Sequence, residues 1–275
     1  MSLYDKIHET ADFIKGKIST APAAGIILGS GLGGLVDLVT VSLEIPYGEI
    51  PNFPVSTVKG HAGKLIFGTI ADTNVVMMGG RFHYYEGYSM EEVTFPVRVM
   101  KALGVDTLVV SNAAGCMNVK WKVGDIMIIT DHINQFPEHP LRGANDERLG
   151  PRFPDMTEVY DKALIGEAKK IAAAQGLDVK EGVYVGLQGP TFETKAEYGW
   201  LLSIGGDVVG MSTVPEVIVA RHGGMRVFAA SIVTDMGIRE DDNVITHEEV
   251  LAAANEAAPK LAGLVASLVG GTRNP

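Results

Sequence analysis

The chain has 275 residues, of which 46% are hydrophobic and 20% charged, with one cysteine and a formal net charge of −10. This length can bury a sizeable core, and the single cysteine excludes an internal disulfide framework or a multi-cysteine zinc site. The acidic balance disfavours a nucleic-acid or anionic-membrane surface. Charged residues near Met1 replace the apolar run of a signal peptide, and no stretch resembles a membrane span, so we expect a soluble, cytoplasmic protein.

Short apolar runs alternate along the chain with longer amphipathic segments. The runs predict strands at residues 24–28, 64–70, 74–79, 107–111, 125–130, 182–187, 207–211 and 226–233. The 3.6-residue apolar period predicts helices at residues 3–18, 90–103, 158–175, 194–203, 214–223 and 247–268. Thr246 is the expected N-cap of the last helix. Interleaved strands and helices predict an α/β fold.

Residues 132–157 form the longest irregular stretch, rich in Pro, Gly, Asn and Asp. A loop of this length inside a compact domain is usually functional or disordered. We find no repeat or linker that divides the chain. The sequence therefore predicts a single domain over residues 1–275.

A glycine-rich segment, Gly29-Ser30-Gly31-Leu32-Gly33-Gly34, follows the first predicted strand and matches G-x-G-x-x-G. A dinucleotide site would also need a full helix and a second strand ending in an acidic residue. Here only about two helical turns are available, at residues 35–41, and no Gly-Lys-Ser/Thr ending indicates a P-loop. The segment is either a plain tight turn or a loop whose amides approach an anion.

Two further segments carry groups suited to anions. His61 lies in Gly60-His61-Ala62-Gly63, where it could equally be an exposed loop histidine. The segment from Gly79 to Tyr88, GGRFHYYEGY, places Arg81 and His83 at a strand end, where α/β proteins bind ligands. Arg81 offers the planar fork suited to phosphate, although a solvated charged loop would show the same composition.

Three more segments follow predicted strands. The small residues of NAAG, after the strand at 107–111, would let a ligand lie against the backbone. GPTFE combines the aromatic face of Phe192 with the carboxylate of Glu193, which suits a purine base. GMSTVPE ends in Glu216 at the start of a helix. Glu193 and Glu216 could instead serve only as helix caps.

Together the segments GSGLGG, GHAG, GRFHYYEGY, NAAG, GPTFE and GMSTVPE and a late histidine resemble the trimeric purine nucleoside phosphorylases, in family order through nearly the whole chain. The resemblance implies one α/β domain with a twisted mixed β-sheet, partly closed into a barrel and surrounded by helices. It implies a homotrimer that performs reversible phosphorolysis of purine nucleosides in purine salvage. Inorganic phosphate would be the co-substrate, with no metal, organic cofactor, nucleic acid or membrane involved.

The resemblance also assigns roles to individual residues. It assigns phosphate binding to Ser30, His61, Arg81, His83, Ala113 and Ser212. It assigns ribose binding to Tyr85, Met211 and His247, with Phe153 supplied by a neighbouring subunit. It assigns base binding to Phe192, Glu193 and Asp235, and the residues expected to act in catalysis are Asp235, Glu193 and His83.

Most members of the resembled family that act on 6-oxopurines look to have asparagine at this position, where this chain has Asp235. An ionised Asp235 would accept from an adenine amino group, whereas an ionised Glu193 accepts the N1–H of a 6-oxopurine. Two acids around one buried base should raise the pKa of at least one of them. Our hypothesis is that Glu193 stays ionised and Asp235 is protonated, so that inosine and guanosine are preferred.

Two alternatives remain open from the sequence. An adenosine or methylthioadenosine phosphorylase resembles the chain at Thr234-Asp235, but that branch lacks the Phe192-Glu193 pair and has a second acid where this chain has Gly237. A dinucleotide-binding oxidoreductase would use the glycine-rich segment. Dependence on phosphate separates the phosphorylases from the oxidoreductase.

Overall fold

The computed structural model describes residues 1–29, 33–55, 63–238 and 246–272. Within these ranges a mixed sheet of nine strands carries helices on its faces. The strands are β1 (Ala24–Ile27), β2 (Thr40–Pro46), β3 (Lys64–Ile70), β4 (Thr73–Gly79), β5 (Thr107–Cys116), β6 (Ile126–Asn134), β7 (Val179–Gly186), β8 (Val208–Gly210) and β9 (Arg226–Met236). The α-helices are α1 (Leu3–Lys15), α2 (Met90–Ala102), α3 (Lys162–Ala174), α4 (Lys195–Ser203), α5 (Val214–His222) and α6 (His247–Gly270).

Part of the sheet closes on itself. The strand order is β2-β3-β4-β1-β5-β8-β7-β6-β9, and β9 also pairs with β5. The ring β5-β8-β7-β6-β9 is therefore a closed barrel of five strands, and β1 to β4 extend the sheet from β5. This architecture confirms the predicted α/β fold with a partly closed mixed sheet.

Strand β5 changes its neighbour along its length, and this change opens a crevice. One edge of β5 pairs with β9 from Thr107 to Cys116. The other edge pairs with β1 only over residues 107–110 and with β8 only at residues 115 and 116. Between these pairings, residues 111–114 have no strand partner on that edge among the described residues. Ligands of α/β proteins bind where neighbouring strands diverge in this way.

The helices begin where the sequence provides caps. Ser2, Ser89, Thr194 and Thr246 each accept a hydrogen bond from the N3 backbone amide of α1, α2, α4 and α6, respectively. Each of these helices also has an acidic N3 residue that completes a capping box. The predicted N-cap Thr246 is thus confirmed. The buried face of α6 runs from Val250 to Val269 and packs against β9.

Several predicted boundaries are wrong. The strand β2 was not predicted, and residues 35–41 form a 3-10 helix over Gly33–Leu38 followed by the start of β2. NAAG does not follow a strand but lies within β5, and β6 and β9 continue beyond the predicted ends at residues 130 and 233. The glycine-rich segment is not followed by a Rossmann unit, because β2 pairs antiparallel with β3 rather than parallel with β1.

The interior is continuous across the barrel and the extended sheet. One large apolar cluster joins residues of β1, β3, β4, β5, β6 and β9 to α1, α2, α3, α5 and α6, and a smaller cluster lies around Met117 and Tyr198. In the part of the chain that the structure describes, no helix is long and apolar enough to cross a membrane. The assignment of residues 1–275 to one domain stays a prediction.

Candidate active site

The crevice beside the unpaired edge of β5 collects most of the polar residues singled out above. It is bounded by β5, the segment after β4, the loop before α4, the segment after β8, the end of β9 and the start of α6. Predicted site residues that line it are Arg81, His83, Tyr85, Ala113, Phe192, Glu193, Met211, Ser212, Asp235 and His247. Gly29, at the end of β1, lines the same crevice, and its amide approaches Ser111 Oγ at 3.4 Å.

Arg81 forms a buried ion pair. Its side chain is 1% exposed, Nε donates to Glu216 Oε1 at 2.9 Å, and Nη2 donates to Glu216 Oε2 at 3.2 Å. Its Nη1 donates to the Ser111 carbonyl at 2.8 Å and to Ser212 Oγ at 3.1 Å. The guanidinium of Arg81, which the sequence suggested for phosphate binding, is thus paired with a carboxylate. Arg81 also lines the crevice, beside Ser212.

Glu216 lies in the first turn of α5, where the helix dipole favours an acid. The sequence left open that it caps this helix, but its carboxylate pairs with Arg81. The N-cap residue is Thr213, with φ 69° and no side-chain capping bond. This left-handed conformation is strained for a β-branched residue. Thr213 Oγ1 accepts from Asn112 Nδ2 at 2.9 Å, which ties the segment after β8 to β5.

His83 is held by Glu86, and Tyr85 stacks on it. The His83 Nδ1 atom lies 3.1 Å from Glu86 Oε1, which also accepts from the His83 backbone amide at 2.8 Å. The rings of His83 and Tyr85 are stacked with centroids 4.7 Å apart. Burial lowers the pKa of His83, and the hydrogen bond with Glu86 opposes that effect. A neutral ring that donates Nδ1–H to Glu86 leaves Nε2 as its second hydrogen-bonding atom.

Two carboxyl groups meet at another part of the crevice. Asp235 is 8% exposed, and its Oδ1 lies 3.0 Å from Thr234 Oγ1. Burial raises the pKa of Glu193, and the nearby Asp235 adds to the shift. The Tyr198 hydroxyl of α4 donates to Asp235 Oδ2 at 3.5 Å. The expected pair of acids therefore lines the crevice, with a phenol beside Asp235.

The structure brings together the expected site residues with three exceptions. Ser30 and His61 lie outside the described residues. Phe153 does not line the crevice; it is 87% exposed, and the Arg152 guanidinium lies 5.6 Å from the centroid of its ring.

Sequence reasoning missed Tyr198 and the side-chain roles of Asn112 and Glu216. Tyr198 and Leu201 are buried one helical turn apart, so the apolar period indicated only a core residue. Among the described residues, no group of three or more His, Cys, Asp or Glu side chains could hold a metal ion.

Comparisons with known proteins identify the family of the chain. Residues 23–270 match the model of the phosphorylase superfamily. The purine nucleoside phosphorylase 1 of Geobacillus stearothermophilus is 53% identical over 263 residues, which covers 96% of each chain. The chain belongs to the purine nucleoside phosphorylase family. Enzymes of this family are pentosyltransferases, which move a sugar from a purine base to phosphate.

Solved structures of the family superpose closely on this chain. The Schistosoma mansoni purine nucleoside phosphorylase in complex with adenosine has a TM-score of 0.94 at 44% identity and covers 98% of each chain. The same enzyme in complex with inosine has a TM-score of 0.93 at 44% identity, again covering 98% of each chain. These chains therefore share the barrel and the extended sheet described above.

The first prediction concerns the buried pair of Arg81 and Glu216. Glu216→Ala leaves the Arg81 charge buried and uncompensated, and we expect a loss of about 3–5 kcal/mol in the free energy of unfolding. The measurement is urea unfolding at a fixed protein concentration. Glu158→Ala is the matched control, because Glu158 pairs with Lys162 on the exposed surface and should change stability little. Equal losses in the two variants would contradict the conclusion that the buried charge of Arg81 needs Glu216 to compensate it.

Proposed function

We propose that the chain catalyses reversible phosphorolysis of 6-oxopurine ribonucleosides and deoxyribonucleosides, inosine and guanosine above all. The products are the free base and ribose or deoxyribose 1-phosphate, as in purine salvage. The observation that carries the proposal is that one crevice brings together hydrogen-bond donors suited to an anion with an aromatic ring and two carboxyl groups suited to a purine base. Arg81, His83, Ala113 and Ser212 are proposed to contact phosphate, Tyr85, Met211 and His247 the sugar, and Phe192, Glu193 and Asp235 the base.

The reaction needs positioning and charge stabilisation more than bond-making by the protein. The sugar passes through a cation-like state between a phosphate anion and a base that gains negative charge. Holding phosphate beside the anomeric carbon therefore supplies much of the rate enhancement. We propose that Ser212 and His83 provide hydrogen bonds to the phosphate, and that Ser30 and His61, which lie outside the described residues, also bind it.

The protonation of His83 suits a role in phosphate binding. Because burial favours the neutral ring, Nε2 can share a proton with bound phosphate while Glu86 holds Nδ1. The anion then stabilises the charged imidazolium that burial disfavours. Arg81 contributes less net charge than its sequence suggested, because Glu216 compensates it.

At the base, Glu193 and Asp235 play different proposed roles. An ionised Glu193 accepts the N1–H of the 6-oxopurine, and a protonated Asp235 donates to O6 or N7 as negative charge develops on the leaving base. The phosphate, sugar and base themselves supply the reacting atoms, so we propose that no metal or organic cofactor takes part. The cytoplasmic location stays a prediction from the sequence.

A second candidate is cleavage of adenosine or methylthioadenosine. It is favoured by Asp235, because an ionised carboxylate at this position would accept from a 6-amino group. The schistosome relative in complex with adenosine shows that a protein of this fold binds a 6-aminopurine nucleoside. Glu193 disfavours this candidate, because its ionised carboxylate would face the unprotonated N1 of adenine.

The experiment that tests the function is a panel of inosine, guanosine, adenosine and methylthioadenosine, each with and without phosphate. We expect release of base from inosine and guanosine only when phosphate is present, with ribose 1-phosphate formed in equal amount. Base release without phosphate would indicate a hydrolase. Preferred cleavage of adenosine would favour the second candidate.

The pH dependence of inosine cleavage tests the roles of the two acids. Because burial raises the pKa of Glu193, this carboxyl accepts a proton at a higher pH than an exposed glutamate. Activity should therefore fall on the acid side above the usual glutamate range. On the alkaline side, loss of the Asp235 proton should lower kcat/KM, and Asp235→Asn should remove that alkaline fall while retaining inosine cleavage. An alkaline fall that persists unchanged in Asp235→Asn would contradict the role of Asp235 as an acid.

We also propose that the enzyme is a homotrimer in which Phe153 covers the ribose of a neighbouring subunit. Its ring is largely exposed in the single chain, and the contact recorded for it is with the neighbouring Arg152 guanidinium. Mixed trimers of Phe153→Ala with His83→Ala should regain activity, because some crevices then combine an intact His83 with an intact Phe153. The measurement is inosine cleavage after the two variants are unfolded and refolded together. Activity no greater than the sum of the separately refolded variants would count against a shared site.

A further inference from the structure

A short series of hydrogen bonds lies behind Ser212, one of the residues proposed to contact phosphate. Asn112 Nδ2 donates to Thr213 Oγ1 at 2.9 Å, and Thr213 Oγ1 lies 3.2 Å from Ser212 Oγ. Asn112 is 2% exposed, and Thr213 is completely buried. Ser212 lines the crevice and Thr213 does not. The Thr213 hydroxyl can therefore act on an anion in the crevice only through Ser212.

The backbone at Thr213 has an unusual conformation. Its φ is 69° and its ψ is −56°, and the Val214 amide donates to the Ser212 carbonyl at 2.7 Å. A hydrogen bond of this kind around a residue with these angles is a classic γ-turn, which is rare and strained. Glycine would adopt this turn at a lower cost than a β-branched residue. The strain directs attention to the side chain of Thr213, because the turn itself does not require it.

The direction of the hydrogen bonds follows from the number of hydrogens available. A hydroxyl has one hydrogen to donate and two lone pairs that accept. Thr213 Oγ1 accepts from Asn112, and among the described residues the acceptor within reach of its own hydrogen is Ser212 Oγ. A buried hydroxyl hydrogen without an acceptor would cost free energy. Thr213 therefore donates to Ser212.

Ser212 Oγ then accepts two hydrogen bonds. Arg81 Nη1 donates to it at 3.1 Å, and Thr213 is the second donor. With both lone pairs occupied, the Ser212 hydroxyl can act only as a donor toward a further partner. Because Ser212 lines the crevice, an oxygen of a bound anion is the acceptor that suits this hydrogen. The reverse direction, in which Ser212 donates to Thr213, would present a lone pair to the anion.

We propose that Thr213 and Asn112 are positioning residues, which fix the Ser212 hydroxyl as a hydrogen-bond donor toward phosphate. This inference rests on the proposed function, in which Ser212 contacts phosphate, and deepens it. Without the Thr213 hydroxyl, the Ser212 hydrogen has more orientations available and must be ordered when phosphate binds. Ordering of this kind weakens binding, whereas a donor that is already oriented avoids the cost.

The test is Thr213→Val, which removes the hydroxyl and keeps the branched shape. The measured quantities are the KM for phosphate at saturating inosine and the KM for inosine at saturating phosphate. We expect the phosphate KM to rise about threefold to tenfold, the effect of one hydrogen bond, with little change in the inosine KM. Thr213→Ser restores the hydroxyl and should return the phosphate KM close to the wild-type value.

Thr94→Val is the matched control. Thr94 is 1% exposed, its hydroxyl donates to the Met90 carbonyl at 2.7 Å within α2, and it does not line the crevice. The same substitution thus removes one buried, hydrogen-bonded hydroxyl elsewhere in the molecule. Both KM values should stay unchanged in this variant.

A Ser212→Ala background separates positioning from structure. In this background Thr213 has no hydroxyl through which to act, so Thr213→Val should add little to the phosphate KM. Asn112→Ala is a second variant, because it removes the donor to Thr213 and leaves the Thr213 hydroxyl free to accept from Ser212. We expect it to raise the phosphate KM as well, again with little further effect in the Ser212→Ala background.

The outcomes are distinguishable. With phosphate-dependent inosine cleavage in the wild type, an unchanged phosphate KM in Thr213→Val would overturn this inference alone. An equal rise in the wild-type and Ser212→Ala backgrounds, or an equal rise of both KM values, would also overturn it, since either would show a merely structural effect. If Thr213→Val yields no folded protein, Asn112→Ala in the two backgrounds decides by the same criteria. A wild type without phosphate-dependent cleavage would overturn the proposed function and this inference with it.

Discussion

The crevice depends on the buried ion pair of Arg81 and Glu216. The guanidinium joins the segment after β4 to the Ser111 carbonyl of β5, to Ser212 and to the first turn of α5. These segments meet where β5 leaves β1 and has not yet reached β8. A buried charge held by several acceptors allows few alternative arrangements, because each broken contact would leave a desolvated polar group. The pair therefore fixes the wall against which the proposed phosphate would lie.

This arrangement changes the electrostatic account that the sequence suggested. With a formal charge of −10, the chain must attract an anion through local groups. Glu216 compensates Arg81, and burial favours a neutral His83. Hydrogen-bond donors and a protonatable imidazole would then contribute more to anion binding than a permanent positive charge. At the base side, the proposed roles of Glu193 and Asp235 depend on the placement of protons rather than on net charge.

Much of the fold followed from the sequence because most strands are apolar runs and most helices carry caps. Strand β2 was not predicted because its apolar pattern is weak, since only Ile45 is buried in it. Residues 111–115 have low strand propensity, yet the ladder with β9 keeps them extended. Family resemblance indicated the proposed site residues. Pairings between distant segments, such as Arg81 with Glu216 and Tyr198 with Asp235, depend on tertiary contacts that sequence spacing does not encode.

The central claim is that Asp235 is neutral and Glu193 ionised when a 6-oxopurine occupies the crevice. Infrared difference spectroscopy on binding of hypoxanthine with phosphate tests it most directly, because a protonated carboxyl has a C=O stretching band that a carboxylate lacks. The account predicts that this band is present in the wild type and in Glu193→Gln and absent in Asp235→Asn. A band that persists in Asp235→Asn and disappears in Glu193→Gln would contradict the account.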